Sequence, residues 1–155
     1  MLKTNVMRIL DAQKIIYTAR EYNSNITEGI KIAEILGEEK EQVFKTLVTV
    51  GTSGINYVFV IPVAETLDLK AAAKSVGEKS IAMIKQKELL SLTGYIHGGC
   101  SPIGMKKLFT TVIDETATLY DTFFISAGKV GYQIEINPNE LIKLIGAKFD
   151  NITVI

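Results

Sequence analysis

The chain has no tryptophan, one cysteine, one histidine and only three prolines in 155 residues. Each scarcity removes a class of function. A single cysteine, Cys100, cannot close an intrachain disulfide, and together with His97 it offers too few ligands for a four-coordinate zinc site. A Ser-His-acid triad would have to recruit His97, and nothing around that residue marks an orienting acid. Excess charge of either sign is absent too: 17 Lys and Arg balance 17 Asp and Glu, whereas a general nucleic-acid binder is usually basic. No run approaches the ~18 apolar residues of a membrane span, and Met1–Arg8 lacks the apolar core of a signal peptide. The expectation is a cytoplasmic protein without membrane association, metal or cofactor.

What is present suits one domain over residues 1–155, with 47% apolar content and no linker, repeat or low-complexity stretch. Apolar periodicity predicts a helix over 4–13 and a short strand from Ile15 to Tyr17. Thr27 is placed to cap a helix that stops at Gly37. Phe44–Val50 and Tyr57–Val63 are β-rich runs joined by Gly51-Thr-Ser-Gly-Ile-Asn56, a hairpin signature. Asp68 can cap Leu69–Val76 before Gly77, and Ser80–Ile84 reads as a strand followed by a short helix over 85–92. Phe109–Ile113, Thr122–Ser126 and Tyr132–Ile136 complete the strands, and Asn137-Pro-Asn-Glu140 is a helix start with Pro at the first helical position. Strands outnumber helices and several are linked as hairpins. The fold class is α+β, a mixed, largely antiparallel sheet, barrel-like and flanked by helices.

One segment stands apart. Residues 94–107 carry glycines at 94, 98, 99 and 104, a proline at 102, and end in Lys106 and Lys107. Such a stretch is a loop whose exposed N–H groups can cradle an anion or an oxyanion. Met105 stands where a nucleotide-hydrolase P-loop requires lysine, which excludes that motif. From Leu69 to Val112 seven lysines face only Glu78 and Glu88; any single one is more commonly a solvated helix-face lysine, but collectively they permit a phosphate-bearing ligand. Lys45 opens a strand and shares a face with Leu47 and Thr49. It reads either as an edge-strand gatekeeper or as a pocket lysine for a phosphate or carbonyl oxygen.

Four ordered segments carry a resemblance. Val43-Phe-Lys-Thr-Leu-Val48, Asp68-Leu-Lys-Ala-Ala-Ala-Lys-Ser-Val-Gly77, Gly94-Tyr-Ile-His-Gly-Gly-Cys-Ser-Pro-Ile-Gly104 and Ser126-Ala-Gly-Lys-Val-Gly131 together closely resemble the YbaK family of trans-editing aminoacyl-tRNA deacylases. That family is kin to the editing insertion of bacterial prolyl-tRNA synthetases, and the similarity runs from about residue 4 to about 150. The resemblance implies hydrolysis of the ester between a wrong amino acid and tRNA, with Cys-tRNA(Pro) the usual substrate. It implies that Lys45 holds the 3′-terminal part of the substrate and that Gly98 and Gly99 bring backbone N–H groups to the scissile carbonyl. Ser126 matches a pocket serine, and Tyr22 a pocket tyrosine. Lys106, Lys107 and Lys129 are candidate phosphate contacts on the acceptor end of a mischarged tRNA, and prolyl-tRNA synthetase is a candidate partner.

The family's proposed chemistry lets the substrate thiol attack its own carbonyl, which suits a chain with no marked nucleophile–base pair. Two alternatives stay open: an Ala-tRNA(Pro) deacylase using water, and a non-catalytic tRNA- or synthetase-binding module. Val130 stands where the family often has Arg, Gln133 where some members have Asp, and Cys100 where a branched apolar residue is common.

Overall fold

Residues 1–154 are described by a computed structural model. Local signals explain most of its elements. Thr4 caps α1 (Asn5–Ala12), accepting from the Met7 N–H, and the helix turns Val6, Met7 and Leu10 inward. The chain is still turning at Ile15, whose N–H closes back on the Leu10 carbonyl at 2.9 Å with Lys14 left-handed (φ 57°). The first strand therefore begins later than expected, as β1 (Tyr17–Glu21). α2 (Gly29–Leu36) ends at Gly37 as expected but starts from Glu28, with no side-chain cap. Thr27 packs instead against Gly98.

β2 (Phe44–Gly51) and β3 (Asn56–Pro62) form the expected hairpin. Asp68 caps α3 (Leu69–Val76) through the N–H groups of Lys70 and Ala71. After β4 (Ile81–Met83), the expected helix over 85–92 divides into a 3-10 turn at Gln86–Glu88 and α4 (Leu89–Thr93). β5 (Thr110–Asp114), β6 (Phe123–Ser126) and β7 (Tyr132–Ile136) precede α5 (Pro138–Ile145), which Asn137 caps. A last strand, β8 (Lys148–Asp150), was not expected. Three residues are too few for an alternation to be diagnostic, and pairing with β5 supplies the strand.

The strands form two sheets, in the orders β4-β2-β3-β5-β8 and β1-β7-β6. β3–β5 and β5–β8 are parallel and the other pairings antiparallel, so the sheet is mixed and largely antiparallel. The barrel-like expectation is corrected. Both sheets are open, and among the described residues the one backbone bridge between them is the isolated pair Val43–Phe124.

The main core lies between the sheets, where α1 and α5 add Met7, Leu10 and Leu141 to Val58, Val60, Ile125 and Ile134. On its other face the larger sheet buries Phe59, Ile61 and Val112 under Ala72 and Ala73 of α3. No helix among the described residues is long and apolar enough to cross a membrane. Phe59 is fully enclosed. Phe59→Ala is expected to cost about 3–5 kcal/mol in urea denaturation, whereas Asp68→Ala should cost about 1 kcal/mol through the lost cap.

Candidate active site

The sheets meet along a short seam. Gln42 Nε2 donates to the Thr122 carbonyl at 2.8 Å, Val43 bridges Phe124, and the Phe44 and Phe123 rings meet edge to face at 4.9 Å. Beside this seam is a cavity of about 420 Å³. Its walls are Val43 and the first half of β2 as far as Leu47, Ile125 and Ser126 of β6, Tyr132 and Gln133 of β7, the start of α2, and the glycine loop.

Lys45 lies in that wall, half-buried. β4 pairs only with Thr49–Gly51, so the Lys45 half of β2 has β3 on one side and no strand on the other. The two readings of this lysine thus meet in one place: it is locally at an edge, and the edge faces the cavity. Burial lowers its pKa below the usual lysine value, with the Glu65 carboxylate opposing the shift.

The two loop glycines have different surroundings. Gly98 lines the cavity with φ +87°, a conformation that disfavours any side chain. Among the described hydrogen bonds none uses its N–H, which leaves a backbone donor available. Gly99 is buried outside the cavity wall, and its N–H donates to the Ile96 carbonyl at 3.0 Å. A Cβ there would lie 2.9 Å from the Val130 nitrogen. Gly99 thus permits the loop to press on the 127–131 turn, a close approach that fixes Gly98.

Ser126 stands opposite Gln133 in the β6–β7 ladder, so both side chains face the cavity wall. Ser126 Oγ accepts from the Gly128 N–H at 3.2 Å. Tyr22 also lines the cavity, and burial raises its phenol pKa. Of the three candidate phosphate lysines, Lys129 lies nearest. It borders a shallower pocket that shares Tyr22 and Tyr132 with the main cavity, and its ammonium sits 5.4 Å from the Tyr132 ring centre. Lys107 borders a separate groove with Pro102 and Ile145, and the Lys106 side chain packs by Gly94, away from the cavity wall.

No nucleophile–base pair is assembled among the described residues. His97 is exposed and lines the cavity, yet neither Ser126 nor Cys100 hydrogen-bonds to it. Burial pushes the Cys100 thiol up to about 12, so it stays protonated and poorly nucleophilic. No group of three His, Cys, Asp or Glu side chains converges as a metal site among the described residues. The arrangement offers one cation, free backbone and hydroxyl donors, and apolar walls. That set can orient an ester and stabilise negative charge on its carbonyl oxygen. Thr27, Thr46 and Tyr132 join the wall without a sequence signal, because tertiary packing alone brings them there.

Comparison with known proteins gives the family. The aminoacyl-tRNA editing domain family matches residues 25–144. A relative from Enterococcus faecalis is 45% identical over 97% of this chain and 93% of its own length; its assigned name, Cys-tRNA(Pro)/Cys-tRNA(Cys) deacylase EbsC, is itself an inference. A solved structure described as an inferred trans-editing enzyme for prolyl-tRNA synthetase covers all of both chains at 25% identity with a TM-score of 0.84. A hypothetical protein of solved structure shares the fold at 21% identity and a TM-score of 0.90 over 97% of this chain and 100% of its own.

Two measurements check the site's electrostatics. NMR of the ¹³C-methylated protein should place the Lys45 ammonium titration below that of the surface lysines; an ordinary midpoint would put it in bulk water. Iodoacetamide at pH 8 should label Cys100 far more slowly than free cysteine, since about 12 leaves little thiolate.

Proposed function

The chain belongs to the aminoacyl-tRNA editing domain family, and from that premise we propose that it is a trans-editing deacylase that hydrolyses mischarged Cys-tRNA(Pro). One observation carries the reading: Lys45, Gly98 and Ser126, from three separate segments, meet in one cavity that contains no protein nucleophile–base pair. The named activity of the 45% identical relative and the trans-editing description of the structural neighbour support the same reading.

In this mechanism the cavity receives the 3′-terminal aminoacyl-adenosine. Lys45 pairs with an oxygen of the terminal nucleotide, and Tyr22 and Ser126 flank the aminoacyl group. Desolvation of Lys45 strengthens that pairing, because the ammonium has less water to give up. The substrate sulfur bonds to the carbonyl carbon and the ester C–O bond breaks. The thiol proton leaves with the ribose oxygen, and water opens the resulting thioester. The Gly98 N–H stabilises the oxyanion; losing one such donor typically costs about 10²–10³ in rate. Gly99 acts as its support, holding the loop against residues 129 and 130.

Lys129 borders the pocket next to the cavity and is assigned to a nearby phosphate, with Lys106 and Lys107 assigned to phosphates farther along the acceptor end. Zero net charge suits a protein that grips only this end, with prolyl-tRNA synthetase supplying further affinity. Such an activity belongs in the cytoplasm, where charged tRNA is used.

A deacylation time course on Cys-, Ala- and Ser-charged tRNA(Pro) tests the reading. Cys alone should be cleared, and Lys45→Ala should lower kcat/KM by about 10²-fold, the scale of a lost charged contact. Equal clearance of Ala would establish attack by water, and tRNA binding without turnover would leave a binding module. Lys129→Ala should weaken binding and reduce the salt slope by about 0.7, the loss of one phosphate contact to a single strand.

A further inference from the structure

Gln133 is 4% exposed and lines the cavity opposite Ser126. Its amide is half used. Nε2 donates to Glu38 Oε1 at 2.9 Å, while the enclosed Oε1 has no hydrogen-bond partner. Leaving a buried acceptor unmet is unfavourable, and native structures seldom do so without a reason.

The carboxylate behind this amide is itself firmly held. The Glu38 side chain is 1% exposed, and its Oε2 accepts from Arg20 Nη1 at 3.0 Å. Arg20 also lies 3.9 Å from Glu135 Oε1, and its guanidinium is 5.1 Å from the Phe124 ring centre. Thr122 Oγ1 donates to the other Glu135 oxygen at 2.5 Å. An ionised carboxylate only accepts hydrogen bonds. Turning the Gln133 amide around would set oxygen against oxygen, so Glu38 selects one of the two orientations. Glu38 is not itself part of the cavity wall.

We propose that Glu38 is a positioning residue: clamped by Arg20, it fixes the Gln133 amide so that Oε1 is the acceptor for the α-ammonium of the bound aminoacyl group. This assignment rests on the deacylase reading and deepens it. The α-ammonium sits on the carbon next to the scissile carbonyl, so a carbonyl held near Gly98 and Ser126 brings it within reach of the residue facing Ser126. Glu28, the carboxylate in the cavity wall, is exposed and solvated, whereas the Gln133 oxygen is already stripped of water. Recognition of an ammonium group by a neutral oxygen leaves the amino-acid side chain unread. Selectivity for cysteine then resides elsewhere in the cavity.

The test compares cysteinyl-tRNA(Pro) with its deamino analogue, 3-mercaptopropionyl-tRNA(Pro), which keeps the thiol and ester. The parent should prefer the amino-bearing substrate by about 10–100-fold in kcat/KM, the scale of one hydrogen bond to a charged group. Gln133→Leu should abolish that preference. Glu38→Gln, whose amide can donate as well as accept, should relax it, raising KM for the cysteinyl ester more than it lowers kcat in a variant that remains folded. Retention of the parent's full preference by a folded Glu38→Gln or Gln133→Leu variant would overturn the proposal. The non-hydrolysable pair of 3′-cysteinylamido-adenosine and its deamino form gives the same comparison as a ratio of Kd values. A parent that binds the first more tightly but cleaves neither ester would defeat the deacylase reading and leave the acceptor in place. Equal binding of the two by the parent would defeat the acceptor alone.

Discussion

Two sheets that share no continuous ladder pack across a common core and touch edge to edge along a seam of three consecutive residues. Gln42 ties to Thr122, Val43 bridges Phe124, and Phe44 packs its ring on Phe123. The cavity runs beside this seam because β2 continues past the bridge without a second strand alongside Lys45, while β6 continues to Ser126. Were the ladder closed into a barrel, the gap would be filled by a neighbouring strand. The open edge of β2 and the site are one feature of the fold. A lysine on an unpaired edge discourages stray strand addition, and the same placement puts its side chain in the cavity wall.

The chemistry follows from what the cavity withholds. It contains a desolvated ammonium, a free backbone donor and a hydroxyl, but no base placed against a nucleophile. Cys100 lies in the wall, yet its burial keeps the thiol protonated, and exposed His97 makes no bond to it. A protein of this kind accelerates a reaction by orientation and charge stabilisation, using a nucleophile that arrives with the substrate or from solvent. The Arg20–Glu38–Gln133 chain belongs to the same economy: the enclosed Glu38 carboxylate sits outside the wall and orients the amide of a neutral residue within it.

Much of this could be read from residue order because its determinants are local. Caps at Asp68 and Asn137, the Gly51–Asn56 turn and the alternation in β2 and β3 act within a few residues, and the structure keeps them. Ile15, Thr27 and Lys148–Asp150 went differently for tertiary reasons. The end of α1 holds Ile15 back, Thr27 packs on Gly98, and β5 organises a strand from three residues, too few to signal one by themselves. At the site, Lys45, Gly98, Ser126 and Tyr22 gather in one wall. The division of labour between Gly98 and Gly99 needed a hydrogen-bond inventory, because adjacent glycines look alike until one N–H is seen to be taken. Gln133 stood out in sequence only as a residue of unusual type; its significance lies in Glu38, 95 positions away.

The central claim is that the aminoacyl ester binds beside the seam, against Lys45 and the Gly98 N–H. Amide and side-chain NMR shifts during titration with 3′-cysteinylamido-adenosine test it most directly. The account predicts saturable perturbations at Gly98, Ser126, Gln133 and the Lys45 ammonium, with the groove around Lys107 and Ile145 unaffected. Perturbations confined to that groove, with Lys45 and Gly98 unmoved, would contradict it.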